Sequence, residues 1–350
     1  MSDVFILGVG QTRVGEHWDS SLRELGAAAI RAALDDARIE SVEALYAGNM
    51  LGGCVNRQEN VATLLTDAAG LLPAEAWKIE AACASGDAVA AGLATASDQD
   101  FEASHGLSFV ALSALMMQRY MHETGQPREA FAPFAVNAHA NAVGNPHAMF
   151  RDPITTEDFA RSPVVASPIG VLDAAPVCDG AAAVVVGSRR ALEPHHRPIK
   201  IAASAAATDT IGLAARADIL TLGAAKQSAE RVFEVSGFKR EDIDFFEAHD
   251  AFTIITALSL ESCGFVPRGE ALKHAADGCF MAGGCTPVST FGGLKARGHP
   301  VGASGTYQIV EAALQLRAEA GANQVAGARR AMTQSIGGHG SIAVTHLLEA

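Results

Sequence analysis

Residues 3–10 read DVFILGVG, a short β-rich apolar run that opens an alternation decisive for the fold. Ser20 to Ala37 follows with Leu22, Leu25, Ala29, Ile30 and Leu34 at helical spacing. VEALYAGNM (42–50) then reads as a second strand, and Asn60 to Gly70 as a second helix. AWKIEAA (76–82) is a third strand that runs into the small residues Cys83, Ala84, Ser85 and Gly86 and a further helix. The order βαβαβα predicts an α/β fold with a largely parallel sheet covered by helices.

Working outward, residues 98–176 change in texture. They hold one helical stretch, HGLSFVALSALMMQRYMHETG (105–125), and then the Pro-, Asn- and His-rich NAHANAVGNPHAMFRDP (137–153). Such material reads as a loop excursion or a cap over the sheet, where ligand contacts concentrate. GAAAVVVGS (180–188) is one more buried strand.

After Pro194 the first pattern restarts. RPIKIAASA (197–205) is a strand, 218–236 a helix, IDFFEAHD (243–250) a strand and AFTIITALSLESCGF (251–265) a helix. A Gly-rich turn, GGLKARGHPVGASG (292–305), leads to a helix from Thr306 to about Ala320 and two closing strands, ARRAMTQS (328–335) and SIAVTHLL (341–348). Ile6 to Leu45 spans 39 residues and Ile201 to Phe245 spans 44, so element order and spacing suggest an internal duplication. The domain reading is an N-terminal half over 1–190, containing the 98–176 excursion, and a C-terminal half over 191–350. The halves do not match throughout. The helix after the second Gly-rich turn is followed by two strands, whereas the helix after Cys83 runs into polar ATASDQDFEASHG (94–106), so the first half lacks a strand.

Twenty-six Lys plus Arg against 39 Asp plus Glu leave a net charge of −13, which argues against nucleic acid or an anionic membrane as the main partner. With 49% hydrophobic and 19% charged residues over 350 positions, a large buried core is available and disorder is excluded. The start, MSDVFILGVGQT, lacks the basic and apolar pattern of a secretory leader, and no apolar run reaches the roughly 18 residues of a membrane span, so the reading is cytoplasmic. The six cysteines, at 54, 83, 178, 263, 279 and 285, form neither a disulfide framework nor a CxxC metal pair. Reduced thiols are the expectation.

Three places could carry chemistry. Cys83, at the junction of a buried strand and a helix, would meet free backbone N–H groups and the positive end of the helix dipole, which favour the thiolate. It could equally be a small buried hydrophobe. His299, in ARGHPVGASG, stands before a proline-fixed turn and could take a thiol proton or simply cap that turn. His249 and Asp250 end a strand, where α/β sheets place sites, although Asp250 could instead cap the next helix. Four motifs carry no site: Gly8, Gly10 and Gly15 miss the dinucleotide spacing, the pair Cys279/Cys285 lacks a second pair, His195/His196 lies in a polar, Pro-flanked linker, and GGHGS (337–341) precedes a strand where a phosphate cradle precedes a helix.

Five segments in order resemble the thiolase family: ACASG around Cys83, DGAAAVVV (179–186), HDAF at His249, GGLKARGHPVGASG at His299, and QSIGGHG (334–340). The resemblance runs over nearly the whole chain and is closest to the branch of archaeal acetoacetyl-CoA thiolases and sterol-carrier-protein-type thiolases. It implies a thiolase-like fold of two βαβαβαββ halves in αβαβα layers, the first half short of one strand. It implies an acetyl-CoA C-acyltransferase forming or cleaving 3-oxoacyl-CoA through an acyl-Cys83 thioester. In that chemistry His299 activates Cys83, and His249 acts at the enolate oxygen with Asp250 behind it. The backbone N–H groups of Cys83 and Gly337 form the other oxyanion hole. No cofactor is tightly bound, and coenzyme A thioesters are the substrates. A homodimer or homotetramer is implied, as is a small zinc-ribbon/OB-fold acyl-CoA-binding partner.

The family's second cysteine, the acid/base at the substrate Cα, is missing from both its usual places, which read Ser335 in SIGG and Ala251 in HDAF. A serine hydroxyl is a far poorer base than a thiol of pKa about 8.5. The remaining Cys-His-His set also resembles decarboxylating ketosynthases of the superfamily. The alternative readings are therefore another acyl-thioester C–C bond enzyme (decarboxylative condensation, C-acylation or retro-aldol cleavage) or an inactive scaffold subunit. The missing strand coincides with the absence of the family's GGxExM sequence.

Overall fold

The computed structural model describes residues 3–50, 52–53, 55–79 and 96–350. Cys83 and its ACASG motif, with the helix expected after it, lie outside the described residues. The first half contributes β1 (Val4–Gln11), α1 (Leu22–Ala37), β2 (Ala44–Gly48), α2 (Val61–Ala69) and β3 (Glu75–Ile79). Helices α3 (Phe109–Thr124), α4 (Ala132–Ala142) and α5 (Thr156–Arg161) follow, then the short pair β4 (Val164–Ala166) and β5 (Ile169–Gly170), and β6 (Ala182–Ser188). The second half comprises β7 (Ile199–Thr208), α6 (Gly223–Ser236), β8 (Phe245–Glu247), α7 (Thr253–Ser262), α8 (Ala271–Ala276), α9 (Ser304–Leu316), β9 (Arg330–Gly337) and β10 (Ile342–Glu349).

Local chemistry sets the ends of these elements. Ser21 accepts from Glu24 N while Glu24 accepts from Ser21 N at 2.7 Å, a capping box that starts α1 where the apolar periodicity begins. At the other end His196 Nε2 lies 2.9 Å from Ala37 O, so the paired histidines 195 and 196 serve the helix terminus. Gly8 and Gly10 sit directly under the backbone of α1, where an added Cβ would clash with Ala33 O and Ala29 O. They are there for close helix-on-strand packing.

Six strands form one sheet in the order β6-β1-β7-β10-β9-β8. The expectation of a largely parallel sheet is corrected here. β1 pairs antiparallel with both β6 and β7, and β10 pairs antiparallel with both β7 and β9, leaving β8–β9 as the parallel pair of this sheet. The reversal of β9 into β10 is local, made by the hairpin turn over 338–341, whereas β6 and β7 lie on either side of β1, both antiparallel to it, so their link carries the chain across β1.

The missing strand has a visible counterpart in this topology. In the second half β9 stands between β8 and β10, tying the early strand to the late ones. In the first half β2 and β3 pair with each other in parallel but form a separate sheet of two. Among the described residues no strand joins β2 to β6, and residues 96–106 form turns ending in a 3-10 turn at Ala103–His105. Tyr46 and Trp77, cross-strand neighbours on β2 and β3, are 64% and 55% exposed.

The 98–176 excursion is mostly helical. The start of the segment read as a loop excursion or cap, NAHANA (137–142), lies in α4, where Asn137 and Asn141 share one face of the helix at a spacing of four. Asn137 donates to Phe280 O and Val288 O at 3.2 and 3.1 Å, Asn141 donates to Ser289 O at 3.0 Å, and Asn145 beyond the helix donates to Phe291 O at 2.9 Å. Three amide side chains thus hold the strand-like segment that leads into the Gly-rich turn. No described helix is long and apolar enough to cross a membrane.

Candidate active site

Two loops bring the histidines together. His249 follows β8, and His299 follows a π-helical turn over Gly293–Arg297. The end of the 98–176 excursion splints both: Ala175 N donates to Ala251 O at 2.8 Å, and His299 N donates to Pro176 O at 2.9 Å. The imidazoles meet edge to face, with ring centres 5.3 Å apart. Both are buried, at 3% and 4% exposure.

Their electrostatics follow from that burial. Desolvation pushes His249 down to about 3, with the Arg297 charge acting the same way. His299 is lowered well below the ordinary value, first by desolvation and then by His249 and Arg297. Both rings are therefore neutral near pH 7. Ser304 Oγ holds His299 Nδ1 at 2.7 Å, leaving Nε2 as the free ring nitrogen. His249 Nδ1 is buried without a hydrogen-bond partner among the described residues.

Asp250 is placed otherwise than either sequence reading expected. Its Oδ1 accepts from Leu294 N at 2.6 Å, so it pins the Gly-rich turn that carries His299 and makes no bond to His249. It does not cap the next helix either, since Phe252 is the N-cap residue of α7. The turn depends on this contact: Gly293 has φ +54°, and a Cβ there would overlap the Asp250 carboxylate. Lys295, 2% exposed, donates to Asp173 O at 2.7 Å, and desolvation lowers its pKa to about 8 against the opposing pull of Asp250 and Asp173.

Behind the histidines lies a buried charge cluster that sequence reasoning missed. Arg297 and Glu311 are 0% and 1% exposed at the side chain, with Nε and Oε1 3.1 Å apart. The guanidinium carbon lies 4.8 Å from the centre of the Tyr307 ring. The sequence signal was present: Ser304, Gln308, Glu311 and Gln315 repeat at steps of four, three and four, one polar stripe along α9 that the fold turns inward.

Ser335 and Gly337 lie on β9 and line, with His249, a cavity of about 360 Å³. The structure therefore brings together His249, His299, Asp250, Ser335 and Gly337, while Cys83 lies outside the described residues. Ala251 is 7% exposed and packs in the main hydrophobic core. His339 of the GGHG segment is structural, its Nε2 2.8 Å from Phe109 O and its ring 3.8 Å from that of Phe109. Among the described residues no group of three or more His, Cys, Asp or Glu is placed to hold a metal ion.

The family profile described as thiolase, N-terminal domain, matches residues 4–104, and that described as thiolase C-terminal domain-like matches residues 205–350. The chain is 40% identical to an acetyl-CoA acetyltransferase of Methanothermobacter thermautotrophicus, covering 99% of both chains. That alignment runs over 380 positions, so at least 30 of them face a gap in these 350 residues. It is 34% identical to the benzoylsuccinyl-CoA thiolase subunit BbsB of Thauera aromatica, over 96% of this chain and 94% of that one. Among solved structures the Ltp2-ChsH2(DUF35) aldolase superposes with a TM-score of 0.84 at 24% identity, covering 99% of this chain and 98% of that one, a likeness of fold. The profiles at both ends, the full-length relatives and the paired histidine loops lead to one conclusion: the chain belongs to the thiolase family.

Proposed function

We propose that this protein is an acetyl-CoA C-acyltransferase that forms or cleaves 3-oxoacyl-CoA through an acyl-Cys83 thioester. The observation that carries the reading is the pair of buried, neutral imidazoles set edge to face beside a cavity bordered by Gly337. His299, steadied by Ser304, takes the thiol proton of Cys83 with its free Nε2. The N–H groups of Cys83 and Gly337 hold the oxyanion of the tetrahedral intermediate, where one donor is worth on the order of 100-fold in rate. His249 acts at the enolate oxygen of the second acyl-CoA. Asp250 supports the site by fixing the His299 turn. The relatives named acetyl-CoA acetyltransferase favour this reading over a decarboxylative, aldol-type or scaffold role. Coenzyme A thioesters are the substrates without a resident cofactor, and the setting is cytoplasmic, with a homo-oligomer and an acyl-CoA-binding partner protein completing the assembly.

Incubation with acetyl-CoA should add one acetyl group to the chain by intact mass, and Cys83→Ala should abolish it. Absence of labelling in the wild type refutes the acyltransferase. With Ser335 and Ala251 in the two thiol positions, Ala251→Cys should raise the rate of acetoacetyl-CoA thiolysis. An unchanged rate shows that Ala251 does not mark the missing Cα base.

A further inference from the structure

Cys279 and Cys285 lie at the base of one short loop. The chain turns as soon as α8 ends: Cys279 N donates back to His274 O at 3.0 Å, and Met281 N donates to Gly278 O at 3.2 Å. It then reverses on itself. Gly284 N donates to Met281 O at 2.8 Å, Thr286 N to Cys279 O at 3.0 Å, and Val288 N to Phe280 O at 3.0 Å. The crossing is so close that a Cβ on Gly284 would overlap Cys279 O. Residues 279 and 285 are thus brought together across the loop.

The two thiols differ in access. Cys285 is exposed, Cys279 is buried, and both are free thiols. The Cys279 thiol faces the Cys285 thiol and the backbone N–H groups of Cys285 and Thr286. Burial, and then the neighbouring Cys285 thiol, push Cys279 up to about 11, while the two N–H groups pull it down. Such an approach of two sulfurs across a backbone hydrogen bond is what a disulfide requires. The flanks of the loop are held from outside it. Asn137 of α4 donates to Phe280 O and Val288 O, and the Phe134 and Phe280 rings stack with centres 6.0 Å apart. The tip, Met281 to Gly283, is exposed, so closing the bond disturbs little packing.

We propose that Cys279 and Cys285 form a thiol–disulfide exchange site, closed reversibly by low-molecular-weight disulfides of the glutathione class. The exposed Cys285 thiolate attacks one sulfur of the small disulfide, forms a mixed disulfide and releases the first small thiol. Cys279 then gives its proton to solvent and attacks the Cys285 sulfur, which makes the Cys279–Cys285 bond and releases the second small thiol. The chain loses two electrons and two protons, and the small disulfide gains them as two thiols. The N–H groups of Cys285 and Thr286 favour the Cys279 thiolate in the second step. This chemistry uses neither Cys83 nor the histidines, so it stands apart from the acyltransferase reading.

The test is peptide mapping. The full chain, reduced and then treated with oxidised glutathione, is quenched with N-ethylmaleimide in urea and cleaved with trypsin. Residues 274–295 emerge as one peptide, because no Lys or Arg stands between Lys273 and Lys295, and Cys279 and Cys285 are its two cysteines. In the wild type that peptide should carry no maleimide and be two hydrogens lighter than its dithiol, and dithiothreitol should restore both adducts. Cys279→Ser should stop with glutathione on Cys285. Cys285→Ser should lose its remaining thiol about tenfold more slowly than the wild type loses either, because Cys279 is buried. Glutathione that stays on Cys285 in the wild type overturns the site. So does a wild-type peptide that keeps both adducts, or a Cys285→Ser variant whose Cys279 reacts as fast as the wild-type pair.

Discussion

The Arg297–Glu311 pair allows a worked prediction. Its charges meet at 3.1 Å, but none of the three guanidinium nitrogens has a hydrogen-bond partner among the described residues, so the contact is Coulombic. At an effective dielectric near 20 that attraction is about 5 kcal/mol, similar to the several kcal/mol needed to bury each ion. Burial raises the Glu311 carboxyl to about 8, so the pair is fully ionised only above that pH; there Arg297→Met leaves Glu311 buried with no counter-charge and also removes the contact with the Tyr307 ring. The expected cost is about 3–5 kcal/mol. In the double variant Arg297→Met/Glu311→Leu the buried carboxylate is gone too, and stability should return to within about 1 kcal/mol of wild type or exceed it. Equilibrium urea unfolding of wild type, both single variants and the double variant reads this as a cycle. The Arg297→Met midpoint should fall by on the order of 1 M. A cycle in which the two single losses simply add refutes the reasoning, because additivity means that the two charges do not depend on each other.

Two further predictions concern the histidines. Ser304→Ala removes the hydroxyl that holds His299 Nδ1 at 2.7 Å and should lower kcat for thiolysis about tenfold to a hundredfold and alter its pH profile, with Ser304→Thr restoring both. Unchanged kinetics would show that packing alone orients the ring. Desolvation lowers His339 and His346 to about 4 and His249 to about 3, below the 6.5 of an unfolded chain. Between pH 6.5 and 4 the unfolded state therefore binds more protons, so these groups withdraw stability as pH falls, up to about 3 kcal/mol for His339. Burial raises Glu247, Asp250 and Glu311 and pulls the other way, so the measurement is a difference. Urea midpoints of His339→Gln should fall less steeply on acidification than those of wild type, and parallel curves count against a buried neutral His339.

Much of this molecule was legible in its residues. The alternation that begins at DVFILGVG located the strands and helices, and Cys83, His249 and His299 stood out because small residues and strand ends frame them. The mismatch between the halves at ATASDQDFEASHG was readable as a strand that one half lacks. Its consequence was not: only the hydrogen-bonded order shows β2–β3 detached from β6. Strand direction was also hidden, since the same βα alternation is compatible with β1 running antiparallel between β6 and β7 and with the hairpin from β9 to β10.

What the sequence determined by itself is everything that depends on neighbours along the chain: periodicity, caps, Gly-rich turns and the chemical types placed at strand ends. What the tertiary structure alone decided is which distant groups share a low-dielectric space. Asp250 could be assigned to a helix cap or to His249 until the fold set it against Leu294, 44 residues away. The polar stripe Ser304, Gln308, Glu311 and Gln315 reads on paper as a solvated helix face. Buried against β8 and β9, it orients His299, sets Gln308 Oε1 without a partner and holds a charge pair behind the site. The physical reason is that burial changes the energy of a polar group by several kcal/mol, and burial is a property of the packed chain.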